Sequence, residues 1–133
     1  MPEKINWTLN VQVVGGPKMA ASKTVEVDAY DKIQVTVAVE EVKEVEVQPG
    51  TKKGRVQFLL INSDQFGDND DTLTYQVDDG DPIALDAPQL FVGDGAVGSL
   101  GKTPDDPPKI LTFSNKLSEA ASIEILVGRK VAD

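Results

Sequence analysis

The sequence predicts an all-β domain, an antiparallel β-sandwich of the jelly-roll kind with eight or nine strands. Three observations predict it. Short segments in which apolar and polar residues alternate recur along the chain, and a period of two marks half-buried strands. Turn residues punctuate these segments, as at Gly15-Gly16-Pro17, Pro49-Gly50 and Asp78-Asp79-Gly80-Asp81. No long amphipathic helix separates them, which argues for a sandwich or barrel over a βαβ sheet. An immunoglobulin-like sandwich is the alternative topology. The length of 133 residues, with 40% apolar and 26% charged, suits one globular domain over residues 1–133.

The first segment alternates strictly. Ile5, Trp7, Leu9, Val11 and Val13 fall on one face, and Asn6, Thr8, Asn10 and Gln12 on the other. This predicts a half-buried strand with Trp7 packed in the core. A second strand is expected over Thr24–Tyr30, interrupted at Asp31-Lys32, and a third over Ile33–Val39. Glu40-Glu41 breaks the pattern before a strand over Lys43–Gln48, whose Glu44 and Glu46 face solvent.

Val56–Ile61 differs, because both of its faces are apolar: Phe58 and Leu60 on one, Leu59 and Ile61 on the other. Such a strand lies in a two-sided core or at a subunit interface. Thr72–Val77, Ile83–Leu85, Gln89–Val92 and Ile110–Phe113 are further strands, and Ile123–Val127 closes the chain as a second doubly apolar one. Gly93–Pro108 reads as a long loop, and Ser114–Ala121 as the sole helical turn.

Composition narrows the function classes. There is no Cys and no His. That removes disulfides, thiolate and imidazole metal sites, and nucleophiles activated by histidine. The chain is expected not to be an enzyme. Its net charge of −9 and its lack of an extended basic cluster argue against a nucleic-acid partner. The one basic turn, Lys52-Lys53-Gly54-Arg55, reads as a solvated turn. The N-terminus shows no signal-peptide core, and no run approaches a membrane span. Asn6-Trp7-Thr8 fits a glycosylation sequon but reads as strand. The expected setting is soluble, cytoplasmic or particle-associated.

The charge is distributed unevenly. From Val56 to Gly101 there is no Lys or Arg, yet nine aspartates occur there: Asp64, Asp68, Asp70, Asp71, Asp78, Asp79, Asp81, Asp86 and Asp94. With 22 acids and 13 bases in all, the rest of the chain is balanced. Aspartate favours turns, and Asp-Gly supplies the positive φ that a tight hairpin needs. A solvated acidic rim is therefore one reading. The other is a Ca²⁺-dependent ligand-binding module on the Asp64–Asp81 loops, with Asp68, Asp70, Asp79 and Asp81 as ligands. The spacing does not match an EF-hand.

Two further patterns carry little chemistry. Carboxylate pairs can hydrolyse glycosides, but 5% aromatic residues leave few stacking platforms for a sugar. Gly93-Asp94-Gly95-Ala96-Val97-Gly98 spells G-x-G-x-x-G, yet Pro104, Pro107 and Pro108 follow where the dinucleotide fold needs a helix. The leading expectation is a non-enzymatic structural or assembly protein that associates with itself or with a larger complex. It rests on the doubly apolar strands, the long Gly/Pro loop and the missing catalytic residue types.

Overall fold

The computed structural model describes residues 3–47, 55–67, 72–78, 80–98, 100 and 109–130. Ten strands and one short helix occur among them: β1 (Glu3–Gln12), β2 (Lys18–Val27), β3 (Ala29–Val37), β4 (Val42–Glu46), β5 (Arg55–Ser63), β6 (Leu73–Val77), β7 (Ile83–Ala84), β8 (Gln89–Val92), α1 (Gly93–Gly98), β9 (Ile110–Asn115) and β10 (Ala121–Lys130).

Strands β3 to β10 form two four-stranded antiparallel sheets, ordered β3-β10-β5-β8 and β4-β9-β6-β7. Every connection from β3 onward crosses between the sheets except the β6–β7 hairpin. This is the jelly-roll winding the sequence predicts, and it replaces the immunoglobulin-like alternative. The core lies between the sheets. Leu59, Ile61, Ile123, Ile125 and Val127 of the first sheet face Leu73, Tyr75, Val77, Leu111 and Phe113 of the second, all buried. The Tyr75 and Phe113 rings lie 5.9 Å apart with a 38° tilt, within the range for attractive aromatic pairs.

Polar contacts also fasten the sheets. The Tyr75 hydroxyl donates to Gln89 Oε1, and Gln89 Nε2 donates to the Ala84 carbonyl at 2.8 Å. Burial pushes the Tyr75 hydroxyl up to about 12 from its usual 10. Arg129 of β10 pairs with Asp31 of β3, and its Nη1 donates to the Val47 carbonyl beyond β4 at 2.8 Å. Asn115 is fully buried; its Nδ2 donates to the carbonyls of Val37 and Glu119, and its Oδ1 accepts from Leu117 N–H. One amide thus ties the β3–β4 connection to the β9–β10 connection, and a buried polar group is affordable only with such partners.

β1 and β2 form a separate two-stranded sheet. They pair in register from Glu3↔Val27 to Gln12↔Lys18. The turn is closed by Gly16 N–H donating to the Val13 carbonyl at 2.7 Å, with Gly15 at φ 74°, a conformation that favours glycine. Five sequence expectations change here. β2 starts at Lys18, six residues before the predicted Thr24, because the whole segment pairs with β1. The strand break falls at Asp28, not Asp31-Lys32, since Asp28 N–H donates to the Arg129 carbonyl at 2.8 Å where the chain leaves the hairpin for the sandwich. Trp7 is half-buried and lies outside the main core. Gly93–Gly98, predicted as loop, forms α1. The helical turn predicted over 114–121 is absent: β9 runs to Asn115, residues 117–119 bend, and β10 begins at Ala121.

Candidate functional site

The most unusual feature of the molecule is the β1–β2 hairpin. Cross-strand partners lie on the same face of an antiparallel pair. The pairs Ile5↔Val25, Trp7↔Lys23, Leu9↔Ala21 and Val11↔Met19 therefore share one face, and Asn6↔Thr24, Thr8↔Ser22 and Gln12↔Lys18 share the other. The first face is apolar except for Lys23 and, at the root, Glu3, which pairs with Val27. Burial along it falls steadily from root to tip. Val27 is buried, Ile5 and Val25 are half-buried, and Val11 and Met19 are 50% and 75% exposed.

The root is fastened over a glycine. A Cβ placed on Gly128 of β10 would stand 2.8 Å from Ile5 Cδ1, 3.0 Å from Val27 Cγ1 and 3.4 Å from Phe58 Cβ. β10 changes register against β5 between Gly128 and Arg129, a bulge that bends the strand beneath the hairpin. Phe58 and Val27 are buried but stand apart from the main core. One apolar side of the doubly apolar β5 is thus explained at the Phe58 position: it faces outward and the hairpin root covers it. Beyond that cover, Leu126↔Leu60↔Leu90 form a row on the same outer face. Leu126 and Leu60 are half-buried and Leu90 is 37% exposed.

The hairpin also differs in charge. Between Ile5 and Val25 there are two lysines, Lys18 and Lys23, and no acid. Neither has an ion-pair partner among the described residues. The Trp7 Nε1–H, opposite Lys23, is buried with no acceptor among the described residues.

The predicted Ca²⁺ ligands fall elsewhere. Asp68, Asp70 and Asp79 lie outside the described residues, and Asp81 is exposed in the β6–β7 connection. Among the described residues no group of three or more carboxylates converges. Two aspartates of the acidic segment have local structural partners. Asp64 Oδ1 accepts the Ser122 N–H while Asp64 N–H donates to the Ser122 carbonyl. Asp78, at φ 52°, accepts the N–H groups of Lys109 and Ile110. Their short carboxylates cap backbone at strand ends, as the turn preference of aspartate leads one to expect. Asp86 is exposed.

Of the basic turn, residues 52–54 lie outside the described residues, while Arg55 opens β5. The G-x-G-x-x-G segment is helical but six residues long, and the strand after it, β9, lies in the opposite sheet. This is not the βαβ unit that binds dinucleotides. A groove of about 360 Å³ on the outer face of the second sheet is lined by Thr74, Gln76, Thr112, Ser114 and Lys116, among others. It offers hydroxyls and one ammonium but no aromatic platform. Among the described residues no helix is long and apolar enough to cross a membrane.

The alternation of β1 and β2 is the same as that of covered strands, so the local pattern alone does not set the hairpin apart. The available signal was the even spacing of Ile5–Val13 and Lys18–Val27 about Gly15-Gly16, which allows all ten residues of each strand to pair. No protein-family model, curated protein or solved structure matches the chain.

Proposed function

We propose that this protein is a non-enzymatic assembly module, a jelly-roll body that associates with itself or with a larger complex. The observation that carries this reading is the exposed apolar face in the distal half of the β1–β2 hairpin. A strand rises about 3.3 Å per residue, so each arm is roughly 33 Å long. An isolated two-stranded hairpin is marginal in water. An exposed apolar strand edge is also a template for pairing that soluble proteins normally blunt. A hairpin of this length with Leu9, Val11, Val13 and Met19 turned to solvent is a surface that a partner would cover.

The absence of His and Cys from the whole chain supports a role without imidazole or thiol catalysis. Light scattering during size-exclusion chromatography tests the reading. The expected result is a mass above the 14.3 kDa monomer that rises with concentration. A strict monomer across the accessible range, with no partner required for stability, would overturn it.

A further inference from the structure

We draw no further inference here: the strongest candidate, the exposed apolar face in the distal half of the β1–β2 hairpin at Leu9, Val11 and Met19, is an unpartnered sheet face, and nothing in the structure shows what covers it.

Discussion

Val37 and Val11 sit in segments with the same alternation of apolar and polar residues. In β3, Val37 is fully buried; in β1, Val11 is half exposed. The difference lies in what faces each strand. Val37 belongs to a sheet with a second sheet opposite, whereas among the described residues β1 pairs with β2 in a separate two-stranded sheet and meets the body at its root, where Ile5 lies over Gly128. Alternation reports that a strand has an apolar side. It does not report whether the same chain supplies a cover for it. The body is self-sufficient by this measure, and the distal hairpin is not.

That contrast is open to direct attack. The largest effect is expected in the body: Leu59→Ala removes a fully buried side chain and should cost about 2–5 kcal/mol in chemical denaturation. The junction should respond less. Gly128→Val drives methyl groups toward Ile5, Val27 and Phe58 and should cost about 1–3 kcal/mol. Its distinguishing sign is faster hydrogen exchange in β1 and β2, with β6 and β9 unchanged; uniform loss of protection would mean the hairpin is integral to the body.

A subtler effect concerns pH. The Tyr75 hydroxyl is raised to about 12 in the folded chain, above its usual 10, so the neutral form is favoured by folding. Its contribution is complete below pH 10 and is lost as pH rises through about 12, because the unfolded chain releases this proton first. Thermal melts from pH 8 upward should show a decline above about pH 10 that is smaller in Tyr75→Phe. Parallel curves would show that the hydroxyl plays no part. The smallest effect belongs to the hairpin tip. Val11→Ala should alter the stability of the monomer by no more than about 0.5 kcal/mol; a loss like that of Leu59→Ala would mean the tip is already covered.

Much of the body was legible from local pattern. β5, β6, β8 and β10 arise where apolar residues alternate or run together between turn residues, and the two-sheet class follows because such strands must bury one face each. The elements that depart from the local pattern depend on distant partners. Ser114 and Asn115 extend β9 because they pair with Val42, Thr74 and Leu73, and Asn115 then spends its side chain on Val37 and Glu119. Nothing within residues 114–121 encodes those partners. The break at Asp28 likewise depends on the Arg129 carbonyl, about a hundred residues away in sequence. For the aspartates, Asp64 and Asp78 follow local turn chemistry, which was readable, while the strand ends they cap were not.

By itself the sequence determined that this chain is built mainly of short strands, that its charge is concentrated between Val56 and Gly101, and that it contains neither His nor Cys. These are properties of composition and of period-two patterning, and they need no knowledge of contacts. The tertiary structure alone decided that the strands wind as a jelly roll and that Phe58 and Gly128 are roofed by Ile5 and Val27. It also decided that Leu9, Val11 and Met19 end in solvent. Whether an apolar face is covered depends on which surface lies opposite it, and that is set by strand order and by the length of the hairpin beyond its root.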